Sequence, residues 1–256
     1  MKRLSMIGLG IADERSIPLR GLDRLKEADM IYAEMYTSIL LSGSIERLEQ
    51  MCGKRIILLD RAGVEEEEIV IKALEKNDMV CFLTAGDPLT ATTHQELRFD
   101  AEDRGAEVEI INSASIFNTA AGLAGLQHYK FGRTTTIAYP DGGFFPTSPL
   151  DVIIDNIERG LHTLVLLDIK ADENMYMSAS EACELILKMT NISGKEAVGP
   201  GTMVAAVLRA GRPDQKVLYG ELEKLSRIDM GDPPHCLILT GKLHFAEEEA
   251  LQRFII

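Results

Sequence analysis

The chain has no surplus of basic residues: 27 Lys and Arg stand against 40 Asp and Glu, a formal net charge of −13. Proteins that bind duplex DNA or RNA draw much of their affinity from basic contacts to phosphate, so this balance argues against a nucleic-acid partner. It favours solubility, and a partner with a basic patch. Cysteine is scarce and scattered. Cys52, Cys81, Cys183 and Cys236 include no Cys-x-x-Cys, which speaks against zinc and for reduced thiols in the cytosol. Cys81 and Cys236 sit in apolar runs and are expected to pack as small hydrophobes. No apolar run is long enough to span a bilayer, and the one after Met1 is too short for a signal peptide. No membrane partner and a cytoplasmic location are therefore expected.

Several catalytic signatures are also missing. There is no Gly-x-x-x-x-Gly-Lys-Ser/Thr phosphate loop, no Gly-x-Ser-x-Gly elbow and no His-Glu-x-x-His. His94, His128, His162, His235 and His244 are scattered, and lone histidines more often pack or hydrogen-bond than ligate. No carboxylate pair is placed for general acid–base work. No catalytic residue and no metal are predicted. Such a chain suits a reaction that needs mainly orientation, worth roughly 7–11 kcal/mol in favourable cases. Methyl transfer from a sulfonium is one example.

What is present is a soluble, layered pattern. The 256 residues suffice for one domain or two, with 46% apolar and 26% charged residues. The chain is organised around Thr84–His94. The apolar run Met79–Leu83 reads as a buried strand, Gly86 as a turn, Asp87 as a helix N-cap and Pro88 as the first helical residue. Such a turn lies at the carboxyl end of a strand, where open α/β sheets bind ligands. An ordinary strand-to-helix turn explains it equally.

A first strand, Leu4–Leu9, ends in Gly8-Leu9-Gly10, but Asp13 stands where a dinucleotide fingerprint wants a third glycine. Ser16 is expected to cap a helix carrying Leu19, Leu22 and Leu25 on one face. Further strands are expected at Met30–Ala33, Arg55–Leu59 and Val108–Ile111. Glu34 and Tyr36 after the second either line a pocket or form a surface loop. Glu65–Glu68 reads as a solvated acidic helix start. The small-residue stretch Asn112–Gly125 suits a helix packed tightly on a sheet, or one approached by a ligand, with Ser113 or Ser115 as cap. Pro140–Pro149 reads as a long functional loop with exposed aromatics. Strands follow at Leu161–Leu167, Thr202–Leu208, Val217–Tyr219 and Cys236–Leu239. Ser178–Glu181 is a capping box for a helix through Met189, and a terminal helix closes the chain. Two α/β domains, 1–112 and 113–256, are expected.

Taken together these motifs resemble the diphthine synthase family of the tetrapyrrole methylase-like superfamily, nearly end to end. The resemblance is carried by Ile7–Gly10 with Asp13–Arg15, Ala33–Ser38, Gly86–Leu89 with Ala91–His94, Tyr129–Gly132, Phe145–Ser148, Leu167–Lys170, Met175–Met177 and Gly231–His235. It implies two α/β domains of the tetrapyrrole methylase type, with the cofactor cleft between them, and a homodimer. The implied cofactor is S-adenosyl-L-methionine, leaving as S-adenosyl-L-homocysteine. Its implied contacts are Ile11, Asp87, Thr90, Ser115, Ile116, Leu167, Leu208 and His235. The implied reaction, in archaeal-type members, is trimethylation of the amino group of a 3-amino-3-carboxypropyl-modified histidine on translation elongation factor 2. The product is diphthine, on the way to diphthamide. Departures are Ala85, Thr90 and the loop Gly142–Phe145, which lacks the tryptophan of many members. The alternatives are a corrin or porphyrin-precursor methyltransferase of the same fold and a non-catalytic nucleotide-binding module. A pyridine-nucleotide oxidoreductase is disfavoured by the broken glycine pattern.

Overall fold

A computed structural model describes residues 2–66 and 68–256. Met1, and Glu67 of the acidic run, lie outside the described residues. The chain divides into two compact units, Met1–Ile116 and Phe117–Ile256.

The first unit holds one parallel sheet of β1 (Arg3–Gly8), β2 (Met30–Glu34), β3 (Ile57–Leu59), β4 (Met79–Thr84) and β5 (Glu107–Ile111), in the order β3-β2-β4-β1-β5. Leu4, Met6 and Ile7 of β1 and Val80, Cys81, Phe82 and Leu83 of β4 are fully buried. A central parallel strand is covered on both faces, which is why β1 and β4 read as nearly continuous apolar runs. Ile7, Leu9, Leu25, Ile31, Leu48 and Leu83 belong to one core cluster. The register places Gly8 opposite Thr84 and Ile7 opposite Ile111, so β1, β4 and β5 end level with one another.

The second unit is built differently. Its sheet contains β6 (Thr135–Ile137), β7 (Thr163–Leu167), β10 (Met203–Leu208), β11 (Lys216–Glu221) and β12 (His235–Leu239), in the order β11-β10-β12-β7-β6. Between β7 and β10 the chain makes a small hairpin, β8 (Ile169–Lys170) against β9 (Met175–Tyr176). Only β6 and β7 pair in parallel; the other pairs in the sheet are antiparallel. The segment 209–215, with Gly211 and Pro213, is too short for the crossover a parallel pair requires, so β11 returns alongside β10. The core here gathers Ile137, Leu150, Val165, Ile186, Val204 and Leu237. All four cysteines are buried and unpaired.

Three local expectations are overturned. Ser16 does not cap the helix Leu19–Glu27; it ends a short 3-10 turn, Glu14–Ser16, and Pro18 takes the capping position with no side-chain bond. Leu19 is 81% exposed, so the apolar face is carried by Leu22 and Leu25 alone. No helix starts at Pro88: the next helix is Gln95–Asp103, because Ala91 adopts a left-handed φ of 57° that breaks helical continuation. Of the acidic run, Glu65 ends the short helix Arg61–Glu65 and Glu68, left-handed, takes the N-cap position of the helix Ile69–Lys76, as expected at the start of the helix reaching Lys76.

The helices Ser44–Cys52 and Ser148–Glu158 were not anticipated; the second begins inside the Pro140–Pro149 segment. The capping box of Ser178 and Glu181 forms as expected, and its helix runs to Ser193. Phe144 is 71% exposed, while Phe145 packs on the core beneath Lys188.

Candidate functional site

The first unit brings five of the eight expected site residues to the loops that leave β1, β4 and β5 at their shared carboxyl edge. Ile11 follows β1, Asp87 and Thr90 follow β4, and Ser115 and Ile116 follow β5, with Ile116 opening the helix Ile116–Ala124. Backbone bonds lock the first two loops together: Gly10 N–H donates to Gly86 O at 3.0 Å and Gly86 N–H donates to Gly10 O at 2.7 Å. Both glycines are left-handed, with φ of 74° and 79°, a conformation most side chains resist. Gly8 is needed for closeness: a Cβ there would stand 2.5 Å from Gly86 O and 2.8 Å from Ser113 Cβ.

Asp87 ties the second loop to the third. Its Oδ1 accepts Leu89 N–H at 3.1 Å and Thr90 Oγ1 at 2.9 Å. Its Oδ2 accepts Asn112 Nδ2 at 2.9 Å and Ser113 N–H at 3.3 Å. Ser113 Oγ in turn donates to Ser16 O at 3.2 Å, closing the circuit to the first loop. Burial pushes the Asp87 carboxyl upward, but the bonds from Asn112, Leu89, Thr90 and Ser113 outweigh it and hold it below the usual carboxylate range. Two donors on each oxygen use the lone pairs a carboxylate offers. Asp87 is therefore a clamp, and a ligand at this loop meets its main chain. No heavy atom lies within 4 Å of where a Gly86 Cβ would stand, so the backbone there faces open space.

Beside these loops, at the ends of β2 and β4, lies a buried polar cluster. Glu34 accepts from Tyr36 N–H, Thr37 N–H and Thr37 Oγ1 at 3.0, 3.1 and 2.5 Å. Burial raises its carboxyl against those bonds. His94 sits with Nδ1 3.3 Å from Pro88 O, an acceptor only, which assigns the proton to Nδ1 and leaves Nε2 to accept from Tyr36 Oη at 3.5 Å. Burial lowers the His94 pKa, keeping the ring neutral. Arg61 lies over the Tyr36 ring, 4.8 Å from its centroid. Glu34 and Tyr36 thus line a packed interior cluster, and the surface-loop alternative fails.

The second unit carries the other three site residues at one edge of its own sheet. Leu208 ends β10 and pairs in register with His235, which opens β12. Leu167 and His235 each lie two residues beyond the pair Val165 and Leu237, toward the same edge. Asp168, next to Leu167, fastens this edge: its Oδ2 accepts Tyr139 N–H at 2.9 Å and its backbone O accepts Met177 N–H at 3.1 Å.

His235 Nδ1 faces Ala179 N–H at 3.1 Å and its Nε2 faces Arg209 Nη1 at 3.0 Å, so both ring nitrogens meet donors and a second proton on the ring is disfavoured. Burial, then the charge of Arg209, pushes its pKa down to about 4. Arg209 was not singled out by sequence, yet it organises this corner. It is left-handed, with φ of 49°. Its Nη1 donates to Met230 O at 2.8 Å and Asp232 O at 2.9 Å and lies 3.0 Å from His235 Nε2. Its Nε pairs with Asp214 Oδ2 at 2.5 Å.

The remaining histidine of note, His162, is fully buried and structural. Its Nδ1 accepts Gly241 N–H at 3.0 Å and its Nε2 donates to Glu247 Oε1 at 3.1 Å. Among the described residues no group of three or more His, Cys, Asp or Glu is placed to hold a metal, and no helix is long and apolar enough to cross a membrane.

Comparison with known proteins gives concordant matches. The family pattern described as Tetrapyrrole (Corrin/Porphyrin) Methylases matches residues 3–226. The diphthine synthase of Methanococcus maripaludis is 45% identical over 251 residues, 97% of each chain. That of Methanocaldococcus jannaschii is 44% identical over the same length and coverage. Among solved structures, a diphthine synthase superposes with a TM-score of 0.89 at 34% identity, covering 99% of this chain and 96% of the other.

Proposed function

Since the chain belongs to the tetrapyrrole methylases and, within them, to the diphthine synthases, we propose that its two strand-edge loop clusters serve methyl transfer in diphthamide biosynthesis. The protein is an S-adenosyl-L-methionine-dependent methyltransferase of that pathway. More finely, it trimethylates the amino group of the 3-amino-3-carboxypropyl-modified histidine of translation elongation factor 2, giving diphthine. It works in the cytoplasm as a homodimer, without nucleic acid.

One observation carries this assignment at the level of the site: the Gly10–Gly86 backbone pair and the Asp87 clamp leave main-chain groups, rather than charged side chains, on offer at the first unit's loops. The methyl donor has no phosphate, so the missing third glycine after β1 is no obstacle. Open space beside Gly86 and a neutral His235 both fit a ligand held by backbone and by uncharged contacts. When bound, S-adenosylmethionine would supply a sulfonium-activated methyl that passes to an amine in one step, the C–S bond breaking as S-adenosylhomocysteine leaves as a thioether.

The chain's own part is to bind and orient. The residues offered to the donor are Ile11, Asp87, Thr90, Ser115 and Ile116 on the first unit's loops, and Leu167, Leu208 and His235 on the second unit's sheet edge. Asp87 contributes by fixing the loop rather than by lending its carboxylate. Phe144, Phe145 and Lys170 shape the acceptor side, where aromatic faces suit an amine that gains methyls and becomes a fixed cation, while Tyr36, covered by Arg61 and bonded to His94, is packed inside the first unit. The nucleophile belongs to the acceptor.

The test is incubation of the chain with labelled S-adenosylmethionine and elongation factor 2 already bearing the aminocarboxypropyl arm, followed by mass spectrometry of the peptide. Three methyl increments on the modified histidine are expected. An unmodified peptide after full incubation refutes the assignment.

A further inference from the structure

A second arginine stands three residues beyond Arg209 in the segment that leaves β10, and nothing described so far uses it. Arg212 N–H donates to Arg209 O at 3.0 Å, which folds the segment back on itself. The Arg212 side chain is drawn inward: its Nε and Nη2 are both buried and have no hydrogen-bond partner among the described residues. Burial lowers its pKa, yet a guanidinium starting from 12.5 remains a cation at neutral pH. Its neighbours do not satisfy it. Asp214, the nearby carboxylate, is drawn to Arg209 Nε at 2.5 Å, and that nitrogen too has no aligned hydrogen bond. Arg209 itself is spent on Met230 O and Asp232 O.

Native proteins seldom leave a buried charged donor unpaired, because the desolvation cost is not returned. Two orphaned guanidinium nitrogens in a chain of net charge −13 are the more unusual, since acidic partners are plentiful. Its position is informative too. Arg212 follows Leu208 by four residues, Leu208 pairs with His235, and the charge of Arg212 is felt at His235. The orphaned donors therefore stand at the same sheet edge as the second unit's donor-binding residues. The planar fork of an arginine is the side chain best matched to a carboxylate, by two parallel bonds.

We propose, building on the methyltransferase assignment, that the Arg212 guanidinium receives a carboxylate borne by one of the two reactants. Both carry one: the methyl donor in its amino-acid tail and the acceptor in its aminocarboxypropyl arm. Binding of either completes the two missing bonds and draws that reactant toward the β10–β12 edge.

The experiment compares wild type with Arg212→Met and Arg212→Lys. Calorimetry measures the affinity for S-adenosylhomocysteine, which keeps the carboxylate, and for 5′-methylthioadenosine, which lacks it. Steady-state kinetics measures KM for elongation factor 2 bearing the arm. If Arg212 grips the donor, Arg212→Met weakens S-adenosylhomocysteine by about tenfold or more and leaves methylthioadenosine within about twofold. If it grips the acceptor, both nucleoside affinities stand and KM for the modified factor rises by a similar factor. In either case Arg212→Lys, with its charge but not its fork, falls between the two. The melting temperature of Arg212→Met should hold or rise, because an unpaired buried charge has been removed. Unchanged affinities and KM, or a fall in melting temperature with equal loss of both nucleosides, overturn the proposal. A wild-type chain that neither binds S-adenosylhomocysteine nor methylates the factor overturns the parent assignment instead, and this inference with it.

Discussion

Replacing Asp87 by Asn tests whether a saturated carboxylate holds the three strand-end loops in register. The substitution is isosteric, removes the charge and exchanges one acceptor oxygen for an NH2 donor. The new amide group must take the place of one oxygen. Placed at Oδ1, it confronts Leu89 N–H and the Thr90 hydroxyl; placed at Oδ2, it confronts Asn112 Nδ2 and Ser113 N–H. The Thr90 hydroxyl can rotate and the Asn112 amide can turn over, but a backbone N–H can do neither. One backbone donor, from Leu89 or Ser113, is therefore orphaned in either orientation. That costs about 2 kcal/mol, within a range of roughly 1–3. If the loops are competent for ligand only when clamped, the affinity for S-adenosylhomocysteine falls roughly 30-fold. The measurement belongs near neutral pH. A carboxyl whose folded pKa is depressed contributes its stability above the unfolded value of about 3.9 and loses it as pH falls through the folded value, so the clamp is complete there. Titration calorimetry beside thermal melting decides the matter. An Asp87→Asn protein with wild-type affinity and wild-type melting temperature would refute the clamp.

Much of the first sheet was legible because its chemistry is local. A strand buried on both faces must be apolar along its whole length, so β1, β2 and β4 announced themselves, as did the capping box at Ser178, whose two partners lie three residues apart. Asp87 misleads for the opposite reason. Asp followed by Pro is a good helix start by local rules, but two of the four donors on its carboxylate, from Asn112 and Ser113, come from another strand end and cannot be seen from the neighbouring sequence. With the carboxylate spent on the turn and on β5, no helix needs it as a cap. The helix Ser148–Glu158 was hidden by its own start. Pro140–Pro149 is dense in turn residues and reads as loop, although its last proline occupies the first helical turn, where proline is welcome. Arg209 and Arg212 carried no signal at all: an arginine after a strand usually points to water, and only the β10–β12 pairing brings them inward beside His235.

Three further outcomes follow from the same geometry. Gly8→Ala places a methyl 2.5 Å from Gly86 O and 2.8 Å from Ser113 Cβ, so it should cost about 1–3 kcal/mol by calorimetric unfolding and weaken S-adenosylhomocysteine binding; a wild-type melting temperature would show that the loops can separate freely. Alanine at Phe144, Phe145 or Lys170 should lower kcat/KM for the modified elongation factor by about tenfold while S-adenosylhomocysteine affinity holds, and unchanged methylation would remove these residues from the acceptor side. The last concerns acid stability. Glu247 is fully buried, paired with Lys130 and bonded by Gln127 N–H, His244 N–H and His162 Nε2–H. Burial pushes its carboxyl up, but those partners win and bring the pKa to about 2. A depressed carboxyl stabilises the fold fully above the unfolded value of about 4.3 and loses that contribution as pH falls toward 2. Glu247→Gln removes the charge but leaves Lys130 as a partly buried cation, so the fold should lose about 3 kcal/mol at neutral pH. The acid limb of its stability profile between about pH 4.3 and 2 should also flatten, because the group that titrates there is gone. Denaturant melts at a series of pH values read both effects, and a variant with an unchanged acid limb would mean that Glu247 is not what ties the terminal helix to His162 and Lys130.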